Sequence, residues 1–222
     1  MPSCAKLFVI MIATLNDISE TFAQQPPSGA AVLIPLVEHA DGLHVLFEVR
    51  AASLAIQPSE VCLPGGHVER GETPQEAAIR ETCEELLVDE KNVRVLGTLG
   101  CMEGPGGRAL WVFVGTLVNY EGTFSPDEVD HTFTLPLDWL LTHNPACYTI
   151  EQCPVFPDDF PWNRIPGGRA YPWRSRAYDV PFYLETEPLL WGATARIIYR
   201  FSQALRDAIE KREARVPCDG RH

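Results

Sequence analysis

Positive charge is scarce in this chain: 18 Lys and Arg stand against 30 Asp and Glu, a formal net charge of −12 over 222 residues. So acidic a protein has no positive field for wrapping nucleic acid or docking on anionic lipid, and neither nucleic acid nor membrane is expected as a partner. Long apolar runs are missing as well. None approaches the ~20 residues that span a bilayer. The nearest, Leu7 to Leu15 (LFVIMIATL), follows a lone Lys6 with no prompt A-x-A cleavage site. It reads as a weak signal peptide at most, and a start at Met11, inside the run, explains the same leader. The 7 cysteines are odd in number and contain no C-x-x-C pair. Neither a zinc site nor a disulfide framework is indicated, and reduced cytoplasmic thiols are the plain reading. Internal repeats and low-complexity tracts are absent.

What is present is ordinary globular material, 45% apolar and 22% charged, which excludes wholesale disorder. Residues 1–27 are expected to form a leader, helical or partly disordered, ending in the breaker Gln25-Pro26-Pro27-Ser28-Gly29. Residues 28–214 read as one domain and 215–222 as a tail. Ala31 to Val37 and His44 to Val49 are strands joined by a turn at Asp41-Gly42. Val93 to Cys101 and Leu110 to Val118 are β-rich around a turn from Glu103 to Gly107. Thr132 to Leu135 is a short strand stopped by Pro136, and Asp138 to Leu141 a helical turn. Residues 154 to 172 are proline-rich irregular chain pinned by Phe156, Phe160, Trp162 and Tyr171, with Trp173 beside them. Ile198, Phe201, Leu205 and Ile209 make one apolar stripe on a closing helix from Trp191 to Arg212. Strands around one central helix, with a second helix at the end, predict an α/β fold with a mixed sheet.

The chemistry is concentrated in Leu63 to Val88, LPGGHVERGETPQEAAIRETCEELLV. Thr73, Pro74 and Glu76 supply an N-cap, a proline at the first helical position and a capping-box glutamate, so a helix runs from Pro74 to about Leu86. At about 100° per residue, Glu81, Glu84 and Glu85 gather on one side, with Ile79, Thr82, Cys83 and Leu86 opposite. Like charges at these spacings repel unless a cation sits among them, and hard ions such as Mg²⁺ or Mn²⁺ suit carboxylate oxygens. A solvated acidic face is the alternative for any isolated E-x-x-E-E. Pro64-Gly65-Gly66, just upstream, lets backbone approach a ligand closely. Glu72 and Arg80 can pair only if Glu72 lies in the loop and folds back.

The stretch resembles the Nudix hydrolase signature, G-x5-E-x7-R-E-U-x-E-E-x-G-U with U aliphatic. Gly66, Glu72, Arg80, Glu81, Glu84, Glu85 and Val88 stand at the matching spacings. Thr82 replaces an aliphatic residue, and Leu87 replaces the glycine after the helix. The resemblance implies an α/β/α sandwich around a mixed sheet that hydrolyses a nucleoside diphosphate linked to another group. Metal, Mg²⁺ or Mn²⁺, would be held by Glu81, Glu84, Glu85 and the Gly65 carbonyl. Arg80 and Glu72 would be a supporting pair.

Two further stretches are similar to coenzyme A diphosphatases within that family. Leu46-Phe-Glu-Val-Arg50-Ala51, leading into Leu63-Pro-Gly-Gly66, partly matches their L-L-T-x-R-[SA]…F-P-G-G motif. Ala55, Ser59 and Leu63 depart from its arginine, glycine and phenylalanine. Trp191-Gly-Ala-Thr-Ala-Arg196 is similar to their W-G-x-T-A-[RK] segment, and Ser125 to Asp130 to their following loop. The implied reaction cuts coenzyme A or acyl-coenzyme A into adenosine 3′,5′-bisphosphate and 4′-phosphopantetheine. No identified residue reads the thiol end. Arg50, Gly66 and Arg196 are candidate substrate contacts. Glu128 is the candidate carboxylate from outside the helix, with Glu103 a rival. ADP-ribose or a dinucleotide is the alternative substrate, and a non-catalytic nucleotide sensor the alternative of another class. A homodimer through the N-terminal segment or the closing helix is plausible on the same sequence.

Overall fold

A computed structural model describes residues 4–19, 29–104 and 107–214 of the chain. After α1 (Cys4–Ser19) come β1 (Ala30–His39), β2 (Gly42–Arg50), two short strands β3 (Val61–Cys62) and β4 (Gly65–His67), and α2 (Pro74–Leu86). Then follow β5 (Val93–Glu103), β6 (Ala109–Leu117), β7 (Val129–Pro136) and α3 (Leu137–Thr142). β8 (Ala146–Gln152), β9 (Arg176–Tyr183), β10 (Leu190–Trp191) and α4 (Gly192–Ala214) complete the described chain. The main sheet has the order β3-β2-β1-β6-β5, with β4 added to β1 and β7 to β2. β1 and β6 run parallel and the other pairs antiparallel, so the sheet is mixed.

Both faces of this sheet are covered, so β1 and β6 are almost wholly apolar. Ala31, Leu33 and Val37 of β1 and Trp111, Phe113 and Leu117 of β6 pack with Ala77, Ala78 and Leu86 of α2. Ile34, Leu36, Val112 and Val114, the alternate residues, join Phe47, Leu140, Ile198, Phe201 and Leu205 on the opposite face. The result is the α/β/α sandwich. α1 belongs to that second layer: Leu7, Ile10, Met11 and Leu15 are all buried, at i, i+3, i+4 and i+8 on one helical stripe. The apolar run of the leader is thus part of the core.

β8, β9 and β10 form a separate antiparallel sheet that the sequence pattern does not announce. β8 is exposed over nearly its whole length, so no alternation of apolar and polar residues marks it. The proline-rich segment before β9 is irregular chain held by its own rings. Phe156 lies 4.8, 4.7 and 5.1 Å from the centroids of Phe160, Trp162 and Trp173, and Arg169 sits over Trp162.

Candidate active site

The site begins with the start of α2. Thr73 accepts the Glu76 backbone N–H at 3.2 Å while Glu76 accepts the Thr73 N–H at 2.7 Å, which closes the capping box. The loop before it folds back as the pairing of Glu72 with Arg80 requires. Arg80 Nε and Nη2 donate to the two Glu72 oxygens at 3.2 and 3.0 Å. Its remaining donors reach the His67 carbonyl and the carboxylates of Glu81 and Glu84. One guanidinium therefore ties the loop, β4 and the acidic helix face together, and bidentate geometry makes the tie stiff.

The helix does not present its three glutamates equally. Glu84 points to solvent with 57% of its side chain exposed, and Glu81 is at 18%. Glu85 is buried along with Thr82 and Leu86, because the stripe Ala78, Glu81, Thr82, Glu85 faces the sheet. The three glutamates expected on one side of the helix thus differ in exposure, from buried Glu85 to solvent-facing Glu84. The Gly65 N–H donates to Glu85 Oε2 at 2.8 Å. Gly65 has φ +151, and a Cβ there would run into Ala31 and Val32; one on Gly66 would strike the Glu81 carboxylate. Gly65 is thus required for the loop to lie this close to β1, and Gly66 leaves the Glu81 carboxylate its place.

Directly inside lies Glu48 of β2, which the sequence reading missed. It is wholly buried among the apolar residues Val45, Leu46, Phe47 and Val49 of that strand, and its Oε1 has no hydrogen-bond partner. Cys62 Sγ, 3.7 Å from Oε2, is its one weak donor. Desolvation pushes the carboxyls of Glu48 and Glu85 well above the usual range, and Glu48 adds to the rise at Glu85. Glu81 is raised for the same first reason, burial, against the opposing pull of Arg80. Glu128 adds repulsion at all three, so the loop after β6 brings it to the same place. That loop is anchored on α2: Ser125 N donates to Glu85 O at 2.7 Å and Thr123 Oγ1 to Leu86 O at 2.7 Å. The signal for Glu48 was an acid amid Val45, Leu46, Phe47 and Val49.

Glu48, Glu81 and Glu85, with the exposed Glu128 near enough to repel them, thus form an oxygen-rich, partly dehydrated group in which burial disfavours the charged form of the first three unless a cation joins them. An orphaned buried oxygen and carboxyls raised by burial fit a hard divalent ion. The other candidates lie around this centre. Arg50 Nε donates to the Ile56 carbonyl at 3.2 Å, bracing the loop from residue 51 to 60. Arg196 Nη2 donates to the Glu103 carbonyl at 3.2 Å, while the Glu103 carboxylate accepts from Arg176 at 2.7 Å. Glu103 is therefore committed to arginine and stands outside the carboxylate cluster. Arg108 lies 3.3 Å from His67 Nε2, beside the glycine loop. The turn from Glu103 closes through Gly104 N to Arg108 O at 2.7 Å; residues 105 and 106 of that turn lie outside the described chain. A cleft of about 1200 Å³ includes none of the four carboxylates. It opens further along the same face of β2, past Leu46, between Thr132, Thr134 and Tyr120.

The Nudix domain family matches residues 27–158. The peroxisomal coenzyme A diphosphatase NUDT7 of Mus musculus is 30% identical over 147 residues, 65% of this chain and 61% of that protein. The chain thus spans somewhat less than two thirds of that relative's length. An uncharacterized Nudix hydrolase, NudL, of Pectobacterium atrosepticum is 30% identical over 205 residues, covering 87% of this chain and 95% of its own. Among solved structures, a MutT/nudix family protein from Enterococcus faecalis aligns with 93% of this chain and 76% of its own, at 17% identity and a TM-score of 0.46. With the family matching more than half of its length, the chain belongs to the Nudix hydrolase family.

Proposed function

We propose that the protein hydrolyses the pyrophosphate of coenzyme A or an acyl-coenzyme A, releasing adenosine 3′,5′-bisphosphate and (acyl-)4′-phosphopantetheine. The observation that carries the chemistry is the buried Glu48–Glu85 pair with its unpartnered oxygen, flanked by Glu81 and Glu128. Glu48, Glu81 and Glu85 would hold Mg²⁺ or Mn²⁺, with Glu84 at the outer rim and the Gly65 carbonyl as a further ligand; such an ion would supply neutralisation of pyrophosphate charge and a more acidic water. Glu128, brought in by a loop rather than by the helix, takes the proton of the attacking water as its oxygen bonds to one phosphorus and the bridging P–O bond breaks. Arg80 and Glu72 hold the loop so that Gly65 and Gly66 stay against Glu85 and Glu81.

The coenzyme A specificity is supported by the motif residues and by the cations around the glycine loop. Arg108 beside His67, and Arg176 and Arg196 on Glu103, concentrate positive charge near the centre of a chain with net charge −12. Guanidinium forks suit phosphate oxygens, and a 3′-phosphate is what separates coenzyme A from its dephospho form. The relative from mouse bears the name of that activity. We place the protein in a reducing compartment such as the cytoplasm; the described cysteines, Cys62, Cys83, Cys101, Cys147 and Cys153, are all free thiols.

The test is product analysis with coenzyme A, dephospho-coenzyme A, ADP-ribose and a diadenosine polyphosphate, each with Mg²⁺ or Mn²⁺. Preferred cleavage of coenzyme A to adenosine 3′,5′-bisphosphate is expected. Equal or better cleavage of ADP-ribose or the dinucleotide moves the substrate while keeping the hydrolase, and binding without turnover of all four makes the domain a sensor.

A further inference from the structure

At the far end of β2 from the carboxylates stands a second donor set that diphosphate hydrolysis does not use. His39, Asp41 and His44 each offer one ligand atom, and the three atoms lie within 4.8 Å of one another. The β1–β2 hairpin builds the set. His39 pairs with Gly42 across the turn at Ala40-Asp41, and Val37 pairs with His44, which puts both imidazoles on one face. Their rings stack with centroids 4.1 Å apart and planes 20° from parallel. His44 is 8% exposed and held at both nitrogens: Nδ1 is 3.1 Å from Thr134 Oγ1 on β7, and Nε2 is 3.0 Å from Asp41 Oδ1.

A buried imidazole with one nitrogen fixed by a hydrogen bond from the neighbouring strand and the other aimed at a carboxylate, with a second imidazole stacked on its face, is held as metal-ligating histidines are. We infer that this hairpin tip is a second metal site, held by His39, Asp41 and His44 and selective for a borderline ion of the Zn²⁺ class. Two imidazole nitrogens and one carboxylate favour such an ion, whereas Mg²⁺ prefers oxygen alone. Metal–ligand distances of about 2.0–2.2 Å require ligand atoms roughly 3.3 Å apart, so the set must tighten. His39 and Asp41 are exposed and can turn to do so, while His44 stays fixed. Three protein ligands leave a fourth position for water. His39 also lines the cleft of about 1200 Å³, so the ion fixes one wall of it. The site is independent of the diphosphatase reading, being about 13 Å along β2 from Glu48 at ~3.3 Å per residue.

The test titrates tag-free, full-length protein with Zn²⁺ by calorimetry in excess Mg²⁺, which fills the oxygen sites. Co²⁺ serves as a spectroscopic probe of nitrogen ligation. One Zn²⁺ per chain is expected, with affinity weakened at least about 10-fold by His39→Ala and by Asp41→Asn and unchanged by Glu85→Gln. The Co²⁺ visible band should be lost in the first two variants and kept in the third. Both altered positions are exposed, and thermal melts verify that each variant folds. The inference is overturned if no Zn²⁺ binds in excess Mg²⁺, if binding survives both hairpin variants, or if Glu85→Gln removes it.

Discussion

At the residue scale the protein rests on two carboxyls placed where carboxyls are costly. Glu48 and Glu85 are both buried, and their hydrogen-bond donors are a thiol at Glu48 and a backbone N–H at Glu85. Glu85→Gln removes one ligand while keeping the Gly65 contact. Charge stabilisation by a bound metal is worth several kcal/mol and each ~1.36 kcal/mol is tenfold in rate. Turnover by this variant is therefore expected to fall about 10²–10³-fold, read by steady-state kinetics. Glu48→Gln separates function from stability: metal-free protein at pH 8 should melt higher than wild type, because an uncompensated buried carboxylate is gone, while metal affinity drops. A lower metal-free melting temperature would contradict the role given to burial. The motif spacing made Glu81, Glu84 and Glu85 legible in the sequence, but not their unequal burial, which depends on where β1 and β4 press against the helix. Glu48 has no motif spacing at all; its only trace was a charge inside an apolar strand.

At the element scale α2 is fully written in local chemistry, from the Thr73–Glu76 capping box to its exit. The residue at that exit, Leu87, has φ +52 and ψ +46 with its N–H bonded to Cys83 O, so the left-handed turn survives without the glycine. A non-glycine side chain costs about 1–2 kcal/mol there, offset in part by the flexibility glycine brings to the unfolded chain. Leu87→Gly should accordingly stabilise by roughly 0.5–1 kcal/mol in denaturant unfolding. Ser59, where the coenzyme A motif has glycine, likewise has φ +60. α1 makes the opposite point. Its apolar run read as a leader because LFVIMIATL has few polar residues to mark a face, yet Met11 is completely buried. Met11→Ala is expected to cost about 2–5 kcal/mol, whereas a detached leader would give no change. β8 stayed hidden for a related reason: it pairs with β9 and buries no face of its own.

At the scale of the whole molecule the cluster couples folding to pH and to metal. A carboxyl raised by folding holds a proton that the unfolded chain has already released, so the native state binds more protons and stability falls as pH rises. With Glu48 and Glu85 both raised from 4.5, their contribution to the stability of the metal-free protein should be fully present below the ordinary carboxylate range. The protein should lose that contribution steadily through neutral pH until the buried groups ionise. Saturating Mg²⁺ or Mn²⁺ should flatten the decline, since a ligand that binds only the native state stabilises it. Melting curves from pH 4 to 9 with chelator and with metal test this; parallel curves would contradict it.

The most direct measurement of the central claim, that these carboxylates are a divalent-metal site, is calorimetric Mn²⁺ binding at pH 7.5 in two buffers of different ionisation heat. Wild type is expected to bind Mn²⁺ and release protons, because the ion displaces those that burial keeps on Glu48 and Glu85. Glu48→Gln and Glu85→Gln should each weaken binding and reduce the proton release. Mn²⁺ affinity and proton release left unchanged by both substitutions would contradict the assignment.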